Sequence, residues 1–289
     1  MRSIIKSFLK FIFLFVLFFP DAMLANQENL FTTADSLLEN GQYREASLAY
    51  ERVFFEHGNA LIQAEANLGR AKSLRSLREY ETAMRVLNRT RYNAISDNLH
   101  FKIRAERVLV RYLSRDWRQV INELNQITFF LPEMSEQKEE LAYIRILALN
   151  ELQNWDDAFE LAVQRYGVLE NFDELSTQYQ NQPSLKSPER AGWIATFVPG
   201  GGQMYAGEWR EGLVSAGLQF SALGWMGYNL WTGYYATAIL TGGGVFQAVY
   251  FGGTDRAQIL TERNNNNTTI RYNETLRNLI LNFERQIQK

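Results

Sequence analysis

Four aromatic residues, Tyr43, Tyr80, Trp117 and Trp155, recur at intervals of 37, 37 and 38 residues, and each carries the same company. Three positions on stand Ala46, Ala83, Val120 and Ala158, and four further on Tyr50, Leu87, Leu124 and Ala162. Nine positions before each aromatic lie Ala34, Ala71, Val108 and Ile146, followed three residues later by Leu37, Leu74 and Leu149, with Arg111 breaking that column in the third unit. Spacings of three and four put these residues on one stripe of a helix, so each unit reads as helix, short turn, helix. A single pair cannot bury its apolar stripe alone, and self-similarity at this period therefore commits the chain to stacked neighbours.

The register resembles the tetratricopeptide repeat, whose pattern closes on Ala-x-x-x-Phe after a central aromatic, over about residues 27–168. The period exceeds the usual repeat of about 34, the first-helix Trp and Gly are missing, and most units lack the closing Pro. Those departures imply lengthened connections. The resemblance implies an all-α fold: a tetratricopeptide-like helical solenoid of about four helix pairs over residues 26–185.

Charge is blocked along this array. Residues 70–118 carry 13 Lys+Arg against 5 Asp+Glu, whereas the remainder of 26–185 carries 5 against 19. A basic middle between acidic ends is suited to an acidic peptide or anionic headgroups, with Arg75, Arg78, Arg104, Arg107 and Arg111 as candidate contacts; solvated outer helix faces are the alternative.

The amino terminus runs from a basic segment with Arg2, Lys6 and Lys10 through the apolar FIFLFVLFF at 11–19 to Pro20, the layout of a signal peptide over residues 1–25. Cleavage after Ala25 and retention as an anchor are both open, and either exports the rest to the periplasmic side of a bacterial cell envelope. Without residues 1–25 the chain holds 27 Lys+Arg against 31 Asp+Glu, which argues against nucleic acid as a partner. No cysteine is present, excluding disulfides, thiolate metal sites and cysteine nucleophiles.

Beyond Pro183 and Pro188 the character changes, and residues 186–289 form a second domain. Leu213 to Trp231 is free of charge, a helix of roughly 28 Å at about 1.5 Å per residue, close to the hydrocarbon thickness. Ala236 to Phe251 is also uncharged but interrupted by Gly242, Gly243 and Gly244. The two runs are expected to make a hydrophobic transmembrane hairpin. Gly212, Gly217, Gly224 and Gly227 would let its helices approach closely. A core buried in water-soluble packing is the alternative, kept open by Gln219, Asn229 and Gln247. Downstream, TERNNNNTTIRYNE reads as a polar loop, and Leu276, Leu279, Ile280, Phe283 and Ile287 mark an amphipathic helix.

Ahead of the first run stands PGGGQMYAG, residues 199–207. Pro199, Gly200, Gly202, Gln203, Tyr205 and Gly207 resemble the P-G-x-G-Q-x-Y-x-G signature of a bacterial membrane-domain family of unknown function. In that family the motif precedes a hydrophobic helical hairpin, often behind tetratricopeptide-like repeats, and it brings no enzymatic activity. A phosphate cradle is the rival reading, weakened because no Lys-Ser/Thr follows the glycines.

His57 and His100 stand apart, and neither a metal cluster nor a nucleophile elbow can be assembled, so no catalytic residue and no cofactor are named. The expected function is a non-enzymatic protein–protein interaction scaffold. It would hold another envelope protein or an acidic peptide, with the hairpin and membrane lipid as its tether. The alternative is a membrane component lining a solute or lipid path near the glycine turn.

Overall fold

The computed structural model describes residues 30–287, with residues 135–137 described by backbone alone; the signal segment at 1–25 lies outside them. Every regular element among the described residues is helical. They divide into two compact units between Ala162 and Val163.

In the first unit the helices come in pairs: α1 (30–39) with α2 (Tyr43–Glu56), α3 (Ala60–Ser76) with α4 (Tyr80–Leu87), α5 (Asp97–Leu113) with α6 (Trp117–Phe130), and α7 (Ser135–Glu151) with α8 (Trp155–Tyr166). The recurrent small residues lie at the contacts. Ala34, Ala71 and Val108 on the first helices and Ala46, Ala83, Val120 and Ala158 on the second are all fully buried, and Tyr50, Leu87, Leu124 and Ala162 fill the space beside them. Each buried Val or Leu contributes about 1.5–3 kcal/mol relative to exposure. First helices also pack on the next first helix, α3 on α5 and α5 on α7. Asn59 and Ser96 cap α3 and α5 by accepting from the amides of Leu61 and Leu99.

A further element of the repeat carries no amino-acid signature. Two residues before each aromatic the backbone is left-handed, with φ of 75° at Gly41, 63° at Arg78, 62° at Arg115 and 61° at Gln153. The amide of the following residue reaches back to the carbonyls of Leu37, Leu74, Arg111 and Leu149, at 2.9, 2.9, 3.0 and 3.0 Å. This is a Schellman closure, repeated four times. Arg111, which breaks the apolar column, therefore keeps its place through its carbonyl. The longer period has a visible source between α4 and α5, where residues 88–96 include a 3-10 turn at Tyr92–Ala94.

The second unit takes the end of α8, then α9 (Phe172–Gln180), α10 (Pro188–Phe197), α11 (Gly201–Ala206), α12 (Trp209–Trp231), a single turn α13 (Tyr235–Thr237), a π-helical segment Ala238–Gly243, and α14 (Gly244–Ile287). Helices α10, α11 and α12 all pack against α14. At its far end Glu284 accepts from Arg165 Nε at 2.6 Å, Arg165 Nη2 at 3.0 Å and the Tyr166 hydroxyl at 2.6 Å. Burial and this carboxylate push the Tyr166 phenol well above its usual range.

Three expectations are corrected in this unit. No helix among the described residues is long and apolar enough to cross a membrane, which overturns the membrane-spanning hairpin. Charge was the wrong measure. Helix α12 opens on Arg210 and Glu211, and eight of its 23 residues are Gly, Ser, Gln or Asn; the second run breaks into the π segment and then continues into α14 with Asp255, Arg256, Glu262 and Arg263. The small residues also act elsewhere than expected. Gly217, Gly224 and Gly227 face open space, while close approach occurs at Gly212, beside Met204 and the Gly200 carbonyl, and at Gly242, beside Met226. Finally, the asparagine run is helical. Asn264 Nδ2 donates to the Ala206 carbonyl at 2.7 Å, and Asn265 exchanges two bonds with the Lys186 backbone at 3.0 and 2.6 Å. Of the amphipathic stripe, Leu276, Ile280 and Phe283 are buried as part of this same long helix, and Ile287 is exposed.

Left-handed backbone at a non-glycine residue costs about 1–2 kcal/mol. Arg115→Gly should thus raise stability, by up to about 1 kcal/mol after the extra unfolded-state entropy of glycine is subtracted; urea denaturation of the full chain measures it.

Candidate functional site

Of the five candidate arginines, four are engaged inside the first unit. Arg75 Nε donates to Glu106 at 2.5 Å, and Arg111 Nη1 to Asp116 at 3.0 Å. Arg107 reaches Glu123 through Nε at 2.9 Å and Nη2 at 2.6 Å. Arg104 is 6% exposed, donates to His100 Nε2 at 2.7 Å and Gln126 Oε1 at 2.6 Å, and lies 4.8 Å from the ring centres of Tyr92 and Phe130. Glu123, 3% exposed, serves Arg107 directly and Arg104 at 3.8 Å. A charge so enclosed is tolerable only when paired, and removing one partner of such a pair costs about 3–5 kcal/mol. Arg78 is exposed, but it occupies a left-handed turn position. Four of the five candidates are therefore spent on holding α3, α5 and α6 together.

The first unit instead presents a groove of about 560 Å³ built on the first helices α1, α3 and α5. Its floor is apolar, with Phe31, Leu38, Leu68 and Leu99, and its edges are charged, with Asp35, Glu39 and Glu65 against Lys72 and Lys102. Several of these residues are one period apart: Phe31 and Leu68, Asp35 and Lys72, Glu65 and Lys102. The repeat thus stacks equivalent positions along one surface and alternates their charge. Tyr50 donates its hydroxyl to Asp35 and lies over Gly69, where an added Cβ would meet the ring at 2.4 Å. Apart from Tyr50, which belongs to a buried column, none of these positions stands out in the sequence, although the same period aligns Phe31 with Leu68, Asp35 with Lys72 and Glu65 with Lys102.

In the second unit the PGGGQMYAG stretch is a helix junction. Gly200, at φ 74°, starts α11 and touches α12, its Cβ position falling 2.0 Å from the Gly212 carbonyl oxygen. Gly202 lies against α10 and α14, where a Cβ would meet the Ala191 carbonyl oxygen at 2.4 Å and the Ala257 Cβ at 2.7 Å. Gly207, at φ 101°, ends the helix. Gln203 is 2% exposed and donates to the Gly253 carbonyl at 2.9 Å and to Ser215 Oγ at 3.3 Å. Tyr205 is approached on its ring by the Lys186 ammonium at 5.6 Å and the Arg190 guanidinium at 5.7 Å. The glycine amides therefore serve a six-residue helix wedged between longer ones. Pro199 belongs to the turn before it. Among the described residues, no group of three or more His, Asp or Glu side chains is placed to hold a metal ion.

Two measurements follow. Gly202→Ala should destabilise the chain by about 1–3 kcal/mol, because the methyl group meets backbone that cannot yield; thermal unfolding checks this. Burial, and after it the Arg104 cation, hold His100 below the usual imidazole range. The unfolded chain therefore takes up this proton first as pH falls. The contribution of His100 is complete above an unfolded value of about 6.5 and is lost as pH drops towards the folded one. Urea midpoints should be lower at pH 5.5 than at pH 7.5, with a smaller gap in His100→Gln.

The chain matches no protein-family model, no curated protein and no solved structure, so its resemblances rest on the residues of the sequence alone.

Proposed function

We propose that the first unit is a tetratricopeptide-like solenoid acting as a non-enzymatic scaffold, and that it holds a segment of another protein in the groove of α1, α3 and α5. One observation carries this reading: the groove is lined by residues at equivalent positions of successive units, so the array that builds the core also builds the surface. Three carboxylates and two ammonium groups flank the apolar floor. The partner is accordingly an amphipathic segment with acidic residues near Lys72 and Lys102 and basic residues near Asp35, Glu39 and Glu65. A purely acidic peptide fits this groove less well than a segment of mixed charge. The compartment proposed is the bacterial cell envelope, on the basic, apolar and breaker order of residues 1–25.

A photo-crosslinker introduced at Leu99 should capture a protein partner in cells. Reversing Lys72 and Lys102 together to Glu should lower that capture at least about tenfold, as loss of two complementary contacts predicts. Arg118→Glu, at an exposed residue that does not line the groove, should leave it unchanged. Equal capture by both variants would refute the assignment of the groove.

A further inference from the structure

Helix α14 carries Gly252 and Gly253 in its interior, where neither residue has a positive φ and each weakens the helix relative to alanine. Both line a cavity of about 420 Å³ between α12 and α14, and so do Gln203, Ser215, Val214, Leu218 and Val249. An added Cβ at Gly253 would fall 3.2 Å from Ser215 Oγ and 3.5 Å from the amide nitrogens of Gln203 and Gln219. The missing side chains are thus what keep this space open down to a polar floor.

That floor has two unused hydrogen-bonding functions. The Gly253 carbonyl must receive an N–H, which fixes the Gln203 amide with Nε2 towards it and Oε1 away. Gln203 Oε1 then has no hydrogen-bond partner among the described residues, on a side chain 2% exposed. An unmet buried acceptor is costly and calls for a donor. Ser215 Oγ receives hydrogen bonds from Gln203 Nε2 at 3.3 Å and Gln219 Nε2 at 3.2 Å, which occupies both of its lone pairs and leaves its hydrogen to be donated. An acceptor on Gln203 and a donor on Ser215, two side chains in hydrogen-bond contact with each other, suit a hydroxyl, whose single oxygen both gives and receives. The walls, Val214, Leu218 and Val249, suit an aliphatic chain. At the rim Arg256 and Glu211 pair through two bonds of 2.9 Å, while the exposed Arg210 rests on the neighbouring Trp209 ring at 5.6 Å.

We propose that this cavity binds an aliphatic alcohol group, with the hydroxyl between Gln203 Oε1 and Ser215 Oγ and the chain along α12 and α14. The volume lies in the range of small-ligand sites. Two sources share this chemistry, a neutral alcohol and a hydroxylated acyl chain whose carboxylate would reach Arg210.

Calorimetric titration of the full chain with 1-octanol tests it. Binding is expected, and 1-methoxyheptane, which keeps the oxygen but has no proton to give Gln203, should bind at least about tenfold more weakly. Gly252→Ala separates binding from folding. Its methyl group meets nothing within 4 Å and favours the helix, so the melting temperature should rise while octanol affinity falls about tenfold. Gln203→Leu should abolish the preference for alcohol over ether. Tighter binding of 10-hydroxydecanoate than of octanol, lost in Arg210→Gln, identifies the acyl source, and the reverse order the neutral one. Absence of octanol binding, or equal affinity for alcohol and ether, overturns the proposal.

Discussion

Closeness between helices is the constraint from which the first unit follows. At Ala34, Ala46, Ala71, Ala83, Val108, Val120 and Ala158 no side-chain surface is left exposed, and any larger group would have to displace a neighbouring helix. Because the same demand returns every 37 or 38 residues, one solution to the problem of approach is reused along the chain. The left-handed closures at Gly41, Arg78, Arg115 and Gln153 belong to the same solution. They reverse the chain within a few residues, so that the second helix of each pair starts in the groove that the small residues leave.

The electrostatics of the unit are subordinate to that packing. Glu123 and Glu106 are buried carboxylates on α6 and α5, and their arginine partners come from α5 and α3. Such pairs add little net stability but penalise misregistered packing heavily. Part of the arginine in the middle of the array is therefore employed in packing, while Arg78, Arg85, Arg89, Arg91, Arg115 and Arg118 stay exposed. The charge that lines the groove sits on the first helices, at Asp35, Glu39, Glu65, Lys72 and Lys102.

Legibility in the sequence tracked how local the determining physics is. The helix pairs and their buried columns were readable because period, side-chain size and burial are bound together within a few turns of helix. The turn conformation was not, since only Gly41 among the four left-handed positions announces itself by composition. In the second unit a run of four asparagines reads as a loop by propensity, yet Asn264 and Asn265 are helical because they hydrogen-bond the distant backbone of Ala206 and Lys186. The uncharged runs misled for the opposite reason: lack of charge is not the same as a preference for hydrocarbon when Gly, Ser, Gln and Asn supply the length. For the glycine turn, the residues of the motif stand out in the sequence, while what each one packs against emerges only from what surrounds it.

The π-helical segment at Ala238–Gly243 bears on how this protein can change over time. Such a segment holds one residue more than the α-helix it interrupts, and each residue turns a helix by about 100°. Loss of a single amino acid there would restore regular winding and swing the face that Ala257, Leu260 and Leu276 present, moving a whole core rather than trimming a surface. Length variation among descendants of this chain should accordingly be accepted in the connections of the helix pairs and purged at Ala238–Gly243, where Gly242 is locked against Met226.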